Sequence, residues 1–449
     1  MLAGAREGAG RPGPSRLAQA AGESAITEDP YEGLLREARA RLAETFPPHE
    51  LEDPSTETQA KAEELLRRMA EAAVQGWTSR GIPLMEPPEA LVARLLDDIF
   101  GWGPISPYLA TETVEEIILN GPDQVWIIDA EKGKYLAPVR FRSAREVVNL
   151  VNRALARTGR RLDRKNPRAD GRLRDGSRLH AVMEPLVDNV PVAVTIRRHR
   201  MVARTLEDLV GLGTLTPAAA AFLRECVLGR LNLVVTGGTA SGKTNTLNAL
   251  CSLLPKAERV ITIEDTPELK IPVDDWVALV TRPADEEGTK EVTMADLVRE
   301  ALRMRPDRII TGEARGAEIV DILMAANTGH DGQMLTVHSN GVLDVVSRLT
   351  TMYLLGKELS LNAIRRQIAD AFQVVVYIER VFLAGRPRRF VRQIAEILPS
   401  RFMEGDTVAV NILFEDRGQG LAPTGNFPQV LPEEIRRRSG RALDLKIFR

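Results

Sequence analysis

The sequence predicts a mixed α/β protein in which a phosphate-binding P-loop domain follows a smaller α+β domain and a helical N-terminal extension. Three observations carry this. Residues 237–244 read Gly-Gly-Thr-Ala-Ser-Gly-Lys-Thr, a G-x-x-x-x-G-K-T loop. An apolar run at 231–235 precedes it and a segment able to continue as a helix, 245–254, follows, which is the strand–loop–helix context that such a loop needs. From there to residue 400 short apolar runs alternate with helical stretches, the pattern of a largely parallel sheet covered on both faces.

Taken in order, residues 1–28 are rich in Gly, Ala, Pro and Ser and read as a disordered tail. In 29–86, Leu34, Leu35, Ala38 and Leu42 recur at helix spacing, Pro47-Pro48 interrupts, and 62–72 resumes the pattern, giving a helical extension. An α+β unit over 87–205 begins with a helix at 91–100 ended by Gly101. Strands at 114–119 and 124–128 flank the turn Asn120-Gly121-Pro122-Asp123; a helix at 144–158, turns at Asp170-Gly171 and Asp175-Gly176, and a strand at 191–196 follow. Residues 206–213 read as a linker. The P-loop domain, 214–400, has strand signals at 231–235, 260–263, 276–280, 308–310, 333–337 and 372–378. Helix signals fall at 244–254, 293–303, 316–328, 342–352 and 362–372. Residues 401–449 form a turn-rich C-terminal segment with a basic end from Arg436-Arg437-Arg438 onward.

Composition excludes several functions. A net charge of -2 gives no global pull toward nucleic acid, and 4% aromatic residues are too few for long base-stacking platforms. The 2 cysteines, Cys226 and Cys251, lie in apolar surroundings, which fits a reducing compartment and no disulfide framework. No run approaches the ~18 apolar residues of a membrane span, and the N-terminal stretch lacks the apolar core of a signal peptide. The expectation is a cytoplasmic protein.

The loop predicts the chemistry. Gly237, Gly238, Thr239, Ala240, Ser241 and Gly242 would wrap phosphate oxygens with backbone N–H groups, with Asn245 in the helix start that follows. Lys243 should reach the β- and γ-phosphates and Thr244 should hold Mg²⁺ through its hydroxyl. Two acidic strand ends follow. In Ile261-Thr262-Ile263-Glu264-Asp265, apolar residues drive the strand into the sheet, which would expose Glu264 and Asp265 at its end, the edge where open α/β sheets bind ligands. In Asp307-Arg308-Ile309-Ile310-Thr311-Gly312-Glu313, a Glu stands where an Asp is usual. Either Glu could act on water or on the magnesium shell. His330 and His338 flank a strand; their spacing is no compact metal signature, and hydrogen bonding near phosphate suits them better. Arg197 and Arg198 close a strand, and Arg303, Arg305, Arg308 and Arg315 surround the second acidic site, so guanidinium groups are available to bracket phosphate.

Together these motifs resemble the ATPases of the type II and type IV secretion superfamily, which share a Walker A loop (237–244), an acidic box (261–268), a Walker B ending in Gly-Glu (309–313) and a histidine box (329–338). The nearer resemblance is to the tight-adherence (Tad/Flp) pilus assembly ATPases of the CpaF/TadA type. It is carried by Phe100-Gly101-Trp102-Gly103-Pro104-Ile105, Glu116-Ile117-Ile118-Leu119-Asn120-Gly121-Pro122, Asp175-Gly176-Ser177-Arg178-Leu179, Thr195-Ile196-Arg197-Arg198, Met304-Arg305-Pro306-Asp307-Arg308 and Asn327-Thr328-Gly329-His330-Asp331-Gly332. It covers residues 90–430.

The resemblance implies a RecA-like P-loop motor behind a PAS-like α+β domain, ATP and Mg²⁺ as ligands, and a homo-hexameric ring. It also implies inner-membrane platform proteins as partners, with the ring held peripherally on the membrane's inner face. By the same resemblance Glu264 polarises the attacking water, Glu313 supports the metal, His338 lies near the nucleotide, and Arg197 and Arg198 approach the γ-phosphate. The four-cysteine zinc module of type II and retraction motors is missing, which disfavours those branches. A conjugation-type (type IV) secretion ATPase and a nucleic-acid translocase are the alternatives.

Overall fold

The computed structural model describes residues 29–448 apart from 53, 84–85, 157–159, 174, 199–204, 283–289, 384–385 and 419. The expected tail, 1–28, and the end of the helix expected at 144–158 lie outside the described residues. Contacts divide the chain into two compact units, Met1–Gly103 and Pro104–Arg449.

The first unit is helical: α1 (Pro30–Thr45), α2 (Pro48–Glu52), α3 (Thr56–Ser79) and α4 (Pro88–Phe100). Asp29 and Ser55 accept the Tyr31 and Thr58 backbone N–H groups and so start α1 and α3. Leu34, Leu35, Ala38 and Leu42 meet Ala62, Leu66 and Ala70, and Leu91, Val92 and Leu95 of α4 complete this core. Helix α4 therefore belongs with the extension, whereas the sequence reading placed it with the domain that follows. Its apolar stripe is satisfied by α1 and α3.

The second unit opens with α5 (Ser106–Ala110), then β1 (Val114–Asn120), β2 (Gln124–Asp129), β3 (Gly133–Leu136), α6 (Ala144–Leu155), β4 (Arg168–Arg172), β5 (Arg178–Met183) and β6 (Val192–Arg197). These strands form an antiparallel sheet in the order β3-β2-β1-β6-β5-β4. Next come α7 (Leu206–Gly211), α8 (Pro217–Leu228), β7 (Leu233–Thr236), α9 (Lys243–Cys251), β8 (Arg259–Glu264), β9 (Asp275–Val280), α10 (Met294–Ala301), β10 (Arg308–Ala314) and α11 (Ile319–Asn327). The chain ends with β11 (Met334–Val337), α12 (Asp344–Gly356), α13 (Leu361–Ala371), β12 (Val374–Leu383), β13 (Arg386–Ile397), β14 (Val410–Asp416), β15 (Leu421–Pro423) and α14 (Leu431–Ser439).

The second sheet has the order β15-β14-β13-β12-β7-β11-β10-β8-β9. From β12 to β9 every pairing is parallel; β13, β14 and β15 extend the sheet in antiparallel fashion. Its two faces are both covered. Leu233 and Val235 face a core shared with α7, α8, α9 and α14, and Val234 faces the core shared with α10–α13. A strand buried on both faces reads as a continuous apolar run, which is why β7 and β8 are legible in the sequence.

Two sequence readings are corrected here. Residues 206–213 are no linker: Thr205 and Asp208 form a reciprocal capping box that starts α7, and Leu206 and Leu209 are buried in the core beneath the P-loop strand. The C-terminal segment is part of the P-loop domain rather than a separate segment. Leu413, Phe414, Leu421, Leu431, Ile435 and Phe448 are buried in the same core as the P-loop strand. The fully buried Glu396 of β13 accepts the backbone N–H groups of Gln429, Val430 and Leu431, which fastens the start of α14 to the sheet. Phe222, Phe414 and Phe448 meet with ring centroids 5.3–5.5 Å apart. Phe414→Ala should lower the unfolding free energy by about 3–5 kcal/mol, the usual cost of emptying a packed aromatic site. Denaturant unfolding followed through the P-loop domain would check this, since an independent tail would leave that transition in place.

Candidate functional site

The parallel strands bring four segments to one edge. The P-loop follows β7, Glu264 ends β8, Glu313 is the penultimate residue of β10, and His338 follows β11. Gly237 (φ +157°) and Gly242 (φ +100°) allow the loop's path, and a Cβ at Gly237 would sit 2.0 Å from the Ile378 carbonyl oxygen. Ala240 also takes positive φ, 58°, without being glycine. Ser241 Oγ is buried with no protein partner at the floor of this loop, and the first N–H groups of α9 open beside it. Phosphate oxygens are the acceptors that such a cradle suits.

Lys243 is buried, and its Nζ donates to the carbonyls of Gly237 at 3.1 Å and Gly238 at 3.0 Å, with His338 Nδ1 at 3.1 Å. Burial lowers its pKa to about 8; Glu313 opposes this, while Arg197 and Arg315 add to it. His338 Nε2 lies 2.7 Å from Glu313 Oε1, and burial together with Lys243 holds the imidazole below its ordinary pKa. Glu313 is clasped by Arg315 at 2.6 Å, which also reaches Asp265 at 3.5 Å.

Glu264 is not the exposed strand end that its sequence suggests. It is only 3% exposed, and its Oε1 accepts the backbone N–H groups of Glu268 at 2.9 Å and Leu269 at 3.1 Å. Burial raises its pKa to about 7, against the pull of those two N–H groups. Gly312 makes room for it: a Cβ there would lie 2.7 Å from Glu264 Cγ. Asp265 does remain exposed.

The antiparallel domain closes one side of the pocket with Glu115, Glu116, Arg178, Arg197 and Arg198. Arg197 lies 3.8 Å from Glu116, and Arg198 donates to the Thr111 carbonyl, so Arg198 is partly committed within its own domain. Three participants escaped the sequence reading. Arg178 pairs with Glu268 at 2.8 Å. Arg389 of β13 donates to the Ala240 carbonyl at 3.2 Å and pairs with Glu115 at 3.0 Å, tying the P-loop to β1. For Arg178 the signal was its place in the Asp175–Leu179 stretch; for Arg389 and Glu115 there was none, since their contact depends on the β12–β13 hairpin folding over the loop. His330 is not among the pocket residues: it precedes β11, at the opposite end of that strand from His338. Thr239, Thr244 and Asn245 do line the pocket.

The donor set suits Mg²⁺. The Thr244 hydroxyl and the Glu313 carboxylate are hard oxygen donors, and Mg²⁺ takes few of these from protein beside phosphate oxygens and water. Among the described residues no cluster of three or more His, Cys, Asp or Glu side chains forms a closed metal cage.

Comparison with known proteins identifies the family. A family model described as "Type II/IV secretion system protein" matches residues 100–380. The chain is 38% identical over 330 residues to a putative conjugal transfer protein of Mycobacterium tuberculosis, covering 72% of this chain and 91% of that one. It is 34% identical over 311 residues to the conjugal transfer protein TrbB of Rhizobium radiobacter, covering 68% and 90%. The crystal structure of the VirB11 ATPase from the Brucella suis type IV secretion system is 29% identical, with 68% and 96% covered and a TM-score of 0.36. The chain belongs to the type II/IV secretion system protein family.

Proposed function

We propose that the chain is a Mg²⁺-dependent ATPase and the motor subunit of a conjugation-type (type IV) secretion machine. The observation that carries this reading is the convergence of P-loop, Glu264, Glu313 and His338 on one sheet edge, faced by arginines from a second sheet. Lys243 and the loop's N–H groups hold the β- and γ-phosphates. Glu264 orients the attacking water and takes its proton as the new P–O bond forms. The bond from the γ-phosphorus to the bridging oxygen breaks, leaving ADP and phosphate. Arg197 and Arg315 offset the charge that gathers on the γ-phosphoryl oxygens. Thr244 and Glu313 would hold Mg²⁺, which when bound would supply charge neutralisation at the phosphates.

The motor acts as a homo-hexamer on inner-membrane platform proteins at the cytoplasmic face. Among the described residues no helix is long and apolar enough to cross a membrane, which fits a partner providing the membrane contact. High coverage of two conjugal transfer relatives favours the conjugation reading. The second reading is Tad/Flp pilus assembly, favoured by the stretches around Gly101 and Arg178. Direct nucleic-acid translocation is disfavoured. Arg437 and Arg438 pair with Glu434, Arg438 also with Asp331, and Arg441 pairs with Glu225, so much of the basic C-terminal end is committed within the chain.

The test is Mg²⁺-dependent ATP hydrolysis across size-separated oligomers, with and without source membranes. Activity in a fraction of about six subunits, the ring expected of a closed cyclic assembly, supports the motor; no hydrolysis in any fraction under either condition sinks it. A deletion strain then separates the readings: loss of conjugal transfer with intact pili supports the first, and loss of pili the second.

A further inference from the structure

The carboxylate of Glu264 is held from two directions by the turn that follows it. Leu269 is fully buried in the motor core, so its N–H group is fixed by packing. Glu268 is tied to α9 through its backbone carbonyl, which accepts from Asn248 Nδ2 at 3.3 Å. Its side chain is gripped by the antiparallel domain: Arg178 Nη2 lies 2.8 Å from Glu268 Oε1, and Arg172 Nη2 donates to the Pro267 carbonyl at 3.0 Å. The same residue whose carboxylate is gripped by Arg178 donates its backbone N–H to Glu264 at 2.9 Å. Two links therefore connect the antiparallel sheet to Glu264.

We propose that Glu268 is a positioning residue which, through its pair with Arg178, holds Glu264 in its hydrolytic orientation only while the antiparallel sheet is seated on the 266–269 turn. Withdrawal of that sheet frees the Glu268 side chain and its N–H group. Glu264 then keeps the Leu269 N–H bond alone and is free to swing. Hydrolysis thus becomes tied to the relative position of the two sheets through the 266–269 turn, whereas the loop N–H groups and Lys243 that would hold phosphate take no part in the Arg178–Glu268 and Arg172–Pro267 contacts. The hydrolytic role rests on the ATPase reading above; the positional link does not.

The groups that face Glu264 make the electrostatics readable. Glu268 repels its charge, Arg178 favours it, and the buried Cys251 thiol of α9 is held neutral by burial, with Glu264 adding to that effect. Gly312 faces it from β10 without charge. Lys243, Asp265, Glu313, Arg315 and His338 share the pocket.

The experiment uses the full chain with Glu268→Gln, Arg178→Met and the double variant. Hydrolysis, binding of a fluorescent ATP analogue and amide hydrogen exchange over 265–269 are measured on each. Each single variant should lower kcat about tenfold with KM changed less than about twofold, and the double should be no worse than the poorer single. Arg178→Met should also move the acid limb of kcat/KM to higher pH. Exchange of the 265–269 amides should quicken about tenfold in each single variant with the remaining peptides unchanged. Unchanged exchange over 265–269 in both singles overturns the proposal. Multiplying losses in the double variant, with weakened analogue binding for Arg178→Met, assign Arg178 to the nucleotide instead. If the wild type hydrolyses nothing, the ATPase reading fails, and the exchange measurement still decides whether the pair holds Glu264.

Discussion

Glu264→Gln will bind ATP as the wild type does and hydrolyse it about 10²–10⁴ times more slowly, the contribution expected of a positioned general base. The substitution keeps the volume, and an amide oxygen can still accept from Glu268 and Leu269, so the turn stays in place. What is lost is the ability to take a proton. Burial has raised the carboxyl pKa to about 7, which places the group where a base is effective near neutral pH. The sign follows directly. Below the folded pKa the carboxyl is protonated and cannot act, so kcat/KM should fall about tenfold per pH unit on the acid side of a limb near pH 7. Single-turnover hydrolysis with equilibrium binding of a fluorescent ATP analogue checks both halves. Retained turnover in this variant would move the base role to Glu313.

Lys243→Ala is expected to act earlier, on binding itself. Its ammonium is buried and already lodged against two P-loop carbonyls and His338, so phosphate oxygens would exchange for acceptors that are in place. Removing it leaves the β- and γ-phosphates without their nearest buried cation, and kcat/KM should fall by on the order of 10³. The wild type should show a related pH effect. Burial has lowered this pKa to about 8, so above that pH the free protein loses the ammonium and ATP affinity weakens. Binding phosphate draws the proton back. Calorimetric titrations in buffers of differing ionisation enthalpy should therefore register proton uptake near pH 8 in the wild type and none in Lys243→Ala. Equal proton uptake in both would assign the effect to another group.

The interior of the motor shows where sequence patterns stop being informative. Strands β7, β8 and β10 carry runs such as Leu-Val-Val and Ile-Thr-Ile because both faces are buried, and such runs stand out in any hydropathy reading. Strand β13 carries Arg386, Arg388, Arg389 and Arg392 and has register irregularities on both sides, between Tyr377 and Ile378 on one neighbour and between Ile394 and Ala395 on its own ladder with β14. Its alternation is broken and its arginines hide it, so neither the strand nor Arg389 was legible. The α7 capping residues are visible in the sequence, but a six-residue helix has too few turns for its apolar spacing to register.

Sequence alone determined which segments meet at the candidate site. A glycine-rich loop between strand and helix, two acidic strand ends and a histidine after a strand are local patterns, and parallel strand order must deliver them to the same edge. Tertiary structure decided which of those groups are tuned and what holds them. Glu264 acquires its raised pKa from burial under the 266–269 turn, Arg178 meets Glu268 from another sheet, and Arg389 meets Glu115 across 274 positions of chain. The physical reason is range. Propensity, capping and turn chemistry act within a few residues of the chain, whereas desolvation and ion pairing depend on whatever the fold places against a group.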